Sequence, residues 1–163
     1  MSDLTPERVS ELFNYDPLTG VLTWKRSRGG QVSGSHAGCI TEDGYRRVTT
    51  GRRSYLVHRL IWMLVYGAWP TNTIDHINGD KLDNRITNLR DVTRKTNKEN
   101  MRKPRKDNTV GVLGIHWHKH MKKFQASIST NGKRVHLGTY NTSEEAHQAY
   151  LTAKRQLHAG NTL

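Results

Sequence analysis

The sequence predicts an α+β protein made of two small modules, and three observations support this prediction. Only 34% of the 163 residues are hydrophobic, which is low for a chain that folds around one large core. Stretches with helical spacing of apolar residues are interspersed with short stretches of alternating polarity. Residues 102–108 are basic and contain Pro104, as expected of a linker. We therefore expect one module in residues 1–101 and another in residues 109–163.

The charge of the chain indicates a polyanionic partner. Lys and Arg number 26 against 14 Asp and Glu, which gives a net charge of +12. Residues 101–163 hold 11 of the basic and 3 of the acidic side chains, so the linker and the second module together carry most of the excess. Such a charge favours phosphate backbones, because counterion release drives their binding. An anionic membrane surface is the competing interpretation, but the sequence has no Lys-rich helix with a broad apolar face.

The single cysteine and the N-terminal residues favour a cytoplasmic protein. Cys39 cannot form an intramolecular disulfide or a Cys-based zinc site, which is typical of a reducing compartment. The first residues lack an apolar core of signal-peptide length. The longest apolar run, residues 60–69, is too short to cross a bilayer. We expect a soluble protein that does not bind membranes.

The first module contains local signals for helices and strands. Thr5, placed ahead of a proline, predicts the start of a short helix. Strands are predicted at residues 21–24 and 45–49, each between turn signals. Apolar residues at helical spacing over residues 56–66, followed by Gly67, predict the main core helix of this module.

The second module is predicted to be a three-stranded antiparallel sheet packed on one helix. Asn131-Gly132 is a strong two-residue hairpin signal between two strand-like stretches. Thr142 or Ser143 caps a helix whose first turn is acidic, as the positive end of the helix dipole favours. The buried stripe of this helix is predicted to be Ala146, Ala149, Tyr150 and Ala153.

Residues 74–100, IDHINGDKLDNRITNLRDVTRKTNKEN, combine many short polar side chains with a regular apolar pattern. A strand from Ile74, a turn at Asn78-Gly79, a second strand and a helix fit this order. Such an arrangement can bring a carboxylate, an imidazole and an amide together, as phosphodiester hydrolysis requires. A neutral, oriented histidine can deprotonate water. Asp or Asn oxygens can hold a hard cation that neutralises the developing charge.

Asp75-His76, Asn88 and Asn97, spaced by 12 and 9 residues from the histidine onward, resemble the ββα-metal motif, or His-Me finger, of HNH homing endonucleases. The wider pattern is similar to phage-borne HNH proteins over roughly residues 12–100. The resemblance implies that His76 is the general base and that Asn88 orients it. It also implies that Asp75 and Asn97 hold one divalent cation, Mg²⁺ or Mn²⁺, without a small-molecule cofactor. The family often has histidine at the last position, and the amide of Asn97 argues against zinc.

Several polar residues near this motif have alternative interpretations. Asn100 lies one helical turn beyond Asn97 and is a rival for the last metal ligand. His58, on the predicted core helix, is better interpreted as a structural histidine than as a catalytic one. A calcium-binding loop is excluded, because the ligand order of an EF-hand is absent. The remaining Asx residues are expected to form turns: Asn78, Asp80, Asp83 and Asn84.

The stretch from about residue 109 to 158 resembles an AP2/ERF DNA-binding domain, through GIHWHKHMKKFQASI and GKRVHLGTYNTSEEAHQAYLTA. Members of that family lay the three-stranded sheet in the major groove of duplex DNA. The resemblance implies that these outward-facing residues contact DNA: His116, His118, Ser127, Ser129, Arg134, His136 and Thr139. Phosphate contacts are expected from Lys122, Lys123 and Lys133. Most base-reading arginines of the family are histidine or serine here, so the family's target sequence is not carried over.

Two further expectations concern the predicted sheet. His116, His118 and His120 alternate and therefore share a face, which raises the possibility of a metal site. We favour nucleic-acid contact or plain solvent exposure for these histidines. Trp117 and Phe124 would point the other way, into the core between sheet and helix.

These features together predict a free-standing HNH endonuclease of phage or mobile-element type, a phosphodiester hydrolase that nicks or cuts double-stranded DNA. The first module would cleave, and the AP2-like module would dock the enzyme. One site per chain predicts a monomer that nicks, or a weak dimer for two cuts, in the host bacterial cytoplasm if phage-encoded. The alternative is a catalytically inactive, sequence-specific DNA-binding regulator, and a third class is an RNA-binding protein.

Overall fold

The computed structural model describes residues 4–27 and 29–163. The chain forms two compact units, which are divided in the sequence between Thr93 and Arg94. Both units mix helices with small antiparallel sheets, so the predicted α+β class is confirmed. The basic run with Pro104 predicts a boundary further along the chain, at residues 102–108.

The first unit contains two helices and three small antiparallel sheets among its described residues. Its elements are α1 (Pro6–Leu12), β1 (Phe13–Asp16), β2 (Val21–Trp24), β3 (Cys39–Ile40), β4 (Arg46–Thr50), β5 (Arg53–Leu56), α2 (Val57–Tyr66), β6 (Thr73–His76) and β7 (Leu89–Val92). Strand β1 pairs with β2, β4 lies between β3 and β5, and β6 pairs with β7. A 3₁₀ turn at Ile86–Asn88 leads directly into β7.

Local signals set the two helices of this unit as predicted. The Thr5 side chain accepts a hydrogen bond from the Arg8 backbone N–H, which satisfies one of the unpaired donors at the start of α1. Gly67 ends α2 in the left-handed conformation at φ 70°, which glycine adopts without a Cβ penalty. Helix α2 buries its apolar side in the core of the unit. This core contains Val9, Phe13, Leu22, Trp24, Ala37, Val48, Val57, Leu60, Ile61, Met63, Ile74 and Leu89.

The second unit is a short helix followed by a sheet and a longer helix. Its elements are α3 (Arg94–Glu99), β8 (Ile115–His118), β9 (Lys123–Thr130), β10 (Lys133–Tyr140) and α4 (Ser143–Leu157). The antiparallel strand order is β10-β9-β8. Asn131 and Gly132 both have positive φ, 50° and 76°, as a two-residue hairpin between β9 and β10 requires, so the predicted hairpin is confirmed.

Helix α4 packs on one face of this sheet. Thr142 and Glu145 form a reciprocal capping box at its start. The core between the helix and the sheet contains Ile115, Ala126, Ile128, Ala146, Tyr150 and Ala153. Of the predicted stripe, Ala149 is half-buried. Phe124 packs against this core as predicted, whereas Trp117 remains 43% exposed and contacts the Phe124 ring edge-on at 4.8 Å. The prediction that Trp117 is a core residue is therefore wrong.

No helix in residues 4–27 and 29–163 is both long enough and apolar enough to cross a membrane.

Helix α4 carries a buried lysine. The Lys154 side chain is 1% exposed, and its Nζ donates a hydrogen bond to the Met101 carbonyl at 2.5 Å. Burial, assisted by the positive charge of Arg102, lowers the pKa of Lys154 to about 8. Burial therefore opposes the charged form of this side chain.

We predict that this lysine makes the stability of the protein rise with pH between about 8 and 10.5. In that window the unfolded chain binds a proton that the buried amine has released, so the free energy of unfolding increases. The difference between the two pKa values corresponds to about 3 kcal/mol. Urea unfolding of the wild type and Lys154→Met from pH 7 to 10.5 tests this, with the exposed Lys133→Met as control. Equal pH slopes for the wild type and Lys154→Met would contradict it.

Candidate active site and nucleic-acid interface

The two-stranded ribbon β6–β7 carries the first two predicted site residues. Asp75 and His76 are 6% and 4% exposed. Asp75 lies opposite Arg90 in the antiparallel register, and the Arg90 guanidinium contacts its Oδ2 through Nε at 2.9 Å and Nη2 at 2.8 Å. A buried carboxylate is costly unless it is paired. The cross-strand arginine therefore both compensates Asp75 and fixes the orientation of its carboxylate.

The His76 imidazole is held by a side chain from the loop between these strands. Its Nε2 lies 3.1 Å from Oδ1 of Asn84, whose Nδ2 donates to the Leu82 carbonyl at 3.3 Å. This second contact orients the amide so that its oxygen faces the ring. Nε2 is then the protonated nitrogen, and Nδ1 carries the lone pair. Burial lowers the pKa of His76, while the contact with Asn84 acts in the opposite direction. The imidazole is therefore neutral at neutral pH, as a general base must be.

Aromatic rings line the other sides of the imidazole. The His58 ring, on α2, meets the His76 ring edge-on at 5.1 Å, and Tyr45 lies 6.0 Å from it. Burial lowers the pKa of His58 to about 3, so this ring stays neutral. Lys81 places its Nζ 4.5 Å from the Tyr45 ring centre and donates to the Asp43 carbonyl at 2.7 Å. The buried, neutral His58 ring that packs against His76 agrees with the interpretation of His58 as a structural histidine.

Both polar atoms of the Asn88 side-chain amide form hydrogen bonds with the loop backbone. Its Oδ1 accepts from the Asn78 backbone N–H at 2.9 Å, and its Nδ2 donates to the Asp83 carbonyl at 2.8 Å. Asn88 was expected to orient His76, but in the structure Asn84 contacts the imidazole and Asn88 contacts the backbone of Asn78 and Asp83. Asn88 ends the 3₁₀ turn before β7, and from there its side chain reaches the start of the loop. Spacing alone does not distinguish these two asparagines.

The loop that delivers Asn84 is fixed from outside by the β1–β2 hairpin. The Tyr15 hydroxyl donates to the Asn84 carbonyl at 3.1 Å and accepts from the Ile86 backbone N–H at 2.8 Å. A Cβ on Gly20 would lie 2.5 Å from the Arg85 backbone nitrogen, so a side chain there would displace the loop. Hairpin and loop therefore pack backbone to backbone.

The other Asx residues of the loop form turns, as their sequence predicts. Asn78 Oδ1 accepts from the Asp80 backbone N–H, and Asp80 Oδ1 accepts from that of Leu82. Asp83 pairs with Arg85 through contacts at 2.6 and 2.8 Å, and this ion pair lowers the pKa of Asp83 to about 2. These side chains stabilise the loop that carries the site.

The predicted metal ligand Asn97 lies on α3, in the second unit, and is half-buried. Across residues 4–27 and 29–163 its side chain makes no hydrogen bond. Its rival Asn100 is 4% exposed, and its Oδ1 accepts a hydrogen bond from the Thr162 hydroxyl. The amide oxygen of Asn100 is thus engaged, which favours Asn97 as the ligand.

The two predicted metal ligands lie in different units, Asp75 in the first and Asn97 in the second, and each is a type of donor that suits a hard cation. Asp75 offers a carboxylate and Asn97 an amide oxygen, which are ligands that Mg²⁺ and Mn²⁺ accept together with water. No group of three or more His, Cys, Asp or Glu in the described part of the chain could hold a metal ion. This contradicts the metal alternative for His116, His118 and His120, and it leaves no nitrogen- or sulfur-rich site for zinc among the described residues.

The strand register places the predicted DNA-contacting residues on one face of the second unit's sheet. His116 pairs with Gln125, Ser129 with Arg134, and Ser127 with His136. These residues alternate with Ala126 and Ile128, which face α4, so they share the opposite face. By the same register this outward face carries His116, His118, Ser127, Ser129, Arg134, His136 and Thr139.

Arg134 is the organising cation of the outward face. Its Nε donates to the Ser127 hydroxyl at 2.9 Å, and its Nη2 lies 3.0 Å from Nε2 of His116. Burial, together with the charge of Arg134, lowers the pKa of His116. Arg134 therefore provides a fixed charge beside a neutral imidazole.

The three predicted phosphate-contacting lysines occupy different places. Lys123 is the first residue of β9, pairs with His118 and shares the outward face. Lys122 lies in the preceding turn with φ 48°. Lys133 pairs with Thr130, whose side chain has the parity of the α4 face, so Lys133 does not share the outward face.

A groove of about 870 Å³ lies within the second unit and includes part of the outward face. His116, Ser127, Ser129 and Arg134 line it. Its other basic residues come from α3 and the following segment and were not predicted as part of the interface: Arg94, Lys95, Lys98 and Arg105. They are close together in the sequence, but no local pattern indicates that they lie beside the sheet.

We predict that Asn88→Ala lowers the stability of the protein, whereas Asn97→Ala does not. Asn88 is itself buried and loses two hydrogen bonds to the loop backbone, which costs about 1 to 3 kcal/mol. Asn97 loses none among the described residues, so the second variant is a matched control. Thermal or urea unfolding of both variants measures the difference. Equal loss in the two variants would show that Asn88 does not brace the loop.

Comparisons with known proteins give family matches for both parts of the chain. A family model described as HNH endonuclease matches residues 55–99, and one described as AP2 domain matches residues 110–160. Protein 3.8 of Escherichia phage T7 is 32% identical over 102 residues, which are 62% of this chain and 83% of the phage protein. A solved structure, "DNA binding and cleavage by the HNH homing endonuclease I-HmuI", is 24% identical to this chain and has a TM-score of 0.47. The match covers 98% of this chain and 95% of the chain in that structure. The chain belongs to the HNH endonuclease family and carries an AP2 domain in its C-terminal half.

Proposed function

We propose that this protein is a metal-dependent endonuclease that hydrolyses phosphodiester bonds of duplex DNA, held on its substrate by the AP2 domain. The observation that carries the proposal is the buried, neutral His76 imidazole, whose Nε2 is held by the Asn84 carbonyl. A histidine in this tautomer has its lone pair on Nδ1, the nitrogen that can accept a proton. Family membership supports nuclease activity, and the relative supports a phage-type protein.

His76 acts as the general base. Its Nδ1 accepts a proton from a water molecule while the water oxygen forms a bond to the phosphorus atom. The bond between phosphorus and the 3′ oxygen breaks, and that oxygen takes up a proton from solvent, so the products are a 5′-phosphate and a 3′-hydroxyl. Asn84 keeps the ring in the required tautomer, and the neutral His58 ring packs against it without adding charge. Asn88 acts one step further away, because it holds the loop that carries Asn84.

Asp75 and Asn97 would hold the divalent cation, Mg²⁺ or Mn²⁺. When bound, the cation supplies charge that stabilises the leaving oxygen and the crowded phosphate of the transition state. Arg90 orients the Asp75 carboxylate through two contacts to one oxygen. No further cofactor is required by this scheme.

The AP2 domain docks the enzyme through the outward face of its sheet. Arg134, with Ser127 and His116 as its supports, provides a contact to a base edge or a phosphate. The two functional regions correspond to residues 1–101 and 109–163, joined by residues 102–108. A monomer carries one site and nicks one strand, and we assign the protein to a homing-type role in the cytoplasm of a bacterial host.

We predict that His76→Ala abolishes DNA nicking and leaves duplex binding intact. Removal of the base should lower the cleavage rate by about 100-fold or more. Conversion of supercoiled to nicked plasmid in Mg²⁺ or Mn²⁺ measures cleavage, and a mobility shift in EDTA measures binding. The exposed His36→Ala is the control and should cut like the wild type.

Three outcomes of this experiment would contradict the proposal. Cleavage by His76→Ala at the wild-type rate would show that another group is the base. Tight binding by the wild type without cleavage in either metal would favour the inactive DNA-binding regulator. EDTA should stop cleavage by the wild type, and cleavage that persists in EDTA would remove the metal from the scheme.

We predict that Arg134→Ala weakens duplex binding more than Arg155→Ala, although both remove one positive charge. Arg134 lies on the outward face, whereas Arg155 is exposed on α4, the helix that covers the other face. The expected cost for Arg134→Ala is about 1 to 3 kcal/mol. Fluorescence anisotropy with a labelled duplex at several salt concentrations measures it. Equal losses would mean that the outward face is not the docking surface.

A further inference from the structure

We propose that the segment that follows α4, residues 158–163, positions α3 and thereby the metal ligand Asn97. Gly160 and Thr162 are the positioning residues in this proposal. It rests on the proposed function, in which Asn97 holds the cation. The contacts that carry it all lie within the second unit.

Helix α3 cannot hold its own position. It spans six residues, Arg94–Glu99, and a helix of this length is unstable in isolation. Its location is therefore set by tertiary contacts. The compact unit to which it belongs is the second one, although the HNH family match runs through residue 99 and so ends within that unit.

Gly160 packs directly against the middle of α3. A Cβ at this position would lie 2.1 Å from the Thr96 carbonyl oxygen, so the two backbones touch. The Gly160 N–H also donates to Oε2 of Glu99 at 3.1 Å, and Glu99 is 7% exposed. These two contacts hold the residues on either side of Asn97 and Lys98.

Thr162 holds the residue that follows α3. Its hydroxyl donates to Oδ1 of the buried Asn100. Arg102 donates to the Thr162 carbonyl at 3.0 Å and contacts its hydroxyl oxygen at 2.6 Å. Lys154, on α4, donates to the Met101 carbonyl at 2.5 Å. The backbone leaving α3 is thus fixed by α4 and by the segment that follows it.

The pattern distinguishes Asn97 from its neighbours. Thr96, Glu99 and Asn100 all contact the 158–163 segment, whereas the Asn97 side chain makes no hydrogen bond among the described residues. A residue whose neighbours are fixed while its own amide is uncommitted is suited to bind a ligand. Partners that orient a metal ligand commonly affect metal affinity by about 10- to 100-fold.

The test compares full-length variants of Thr162. Thr162→Val keeps the shape of the side chain and removes the hydroxyl that contacts Asn100. We expect the Mg²⁺ concentration for half-maximal plasmid nicking to rise about 10-fold, with duplex affinity in EDTA unchanged. Thr162→Ser keeps the hydroxyl and should restore the wild-type metal dependence. Thr152→Val is the matched control, because its hydroxyl bonds within α4 to the Gln148 carbonyl.

Gly160→Ala provides a second, independent variant. Its Cβ must displace the Thr96 carbonyl, so it should shift the metal dependence in the same direction as Thr162→Val and further. An unchanged metal dependence in both variants would overturn the proposal. A loss of duplex affinity at unchanged metal dependence would also overturn it, since the segment would then serve docking.

Asn97→Ala, measured in the same titrations, separates this proposal from the proposed function. If Asn97→Ala nicks with wild-type metal dependence, Asn97 is not a ligand and the assignment made under the proposed function fails. If Asn97→Ala raises the metal requirement and Thr162→Val does not, the ligand stands and the positioning role alone is overturned. Both variants shifted together, with Thr162→Ser normal, is the result we expect.

Discussion

The hydrogen bond between His76 and Asn84 is the contact on which the candidate site depends. A buried imidazole can act as a base only while it is neutral and oriented, and burial alone would supply the first condition without the second. Asn84 supplies the second because its own amide is fixed by the loop backbone. The loop in turn is held by Tyr15 and by the close approach of Gly20. A hairpin far away in sequence thus determines which nitrogen carries the proton.

The buried carboxylate of Asp75, next to His76 in the chain, is stabilised by an ion pair. Asp75 is paired across the ribbon with Arg90, so its negative charge is compensated before any cation binds. A cation added at such a carboxylate gains less than it would at an unpaired one, because the arginine already stabilises the charge. If Asp75 is a metal ligand, as proposed, Arg90 would affect metal affinity as well as the stability of the ribbon.

Local patterns predicted most of the fold, and non-local contacts account for the differences. Thr5, Gly67 and the Asn131-Gly132 hairpin shape only the few residues next to them in the chain. Their local patterns therefore predicted the helix start, the helix end and the turn correctly. Asn84 and Asn88 both lie in one polar loop, and the choice between them depends on how the loop folds over Tyr15. The membership of α3 in the second unit depends on residues about 60 positions later in the chain, which periodicity cannot show.

The placement of α3 also explains why basic residues on both sides of residue 101 form one electrostatic surface. Lys95 and Lys98 of α3 line the same groove as Arg134 of the sheet, although the basic linker and two strands separate them in the chain. In the proposed scheme, a duplex drawn to this surface would be bound by the same unit that carries Asn97. The distance between the groove and Asn97 would then be set by the core beneath α4, because both belong to one folded unit. The basic surface and the proposed metal ligand would therefore be positioned by the same set of contacts.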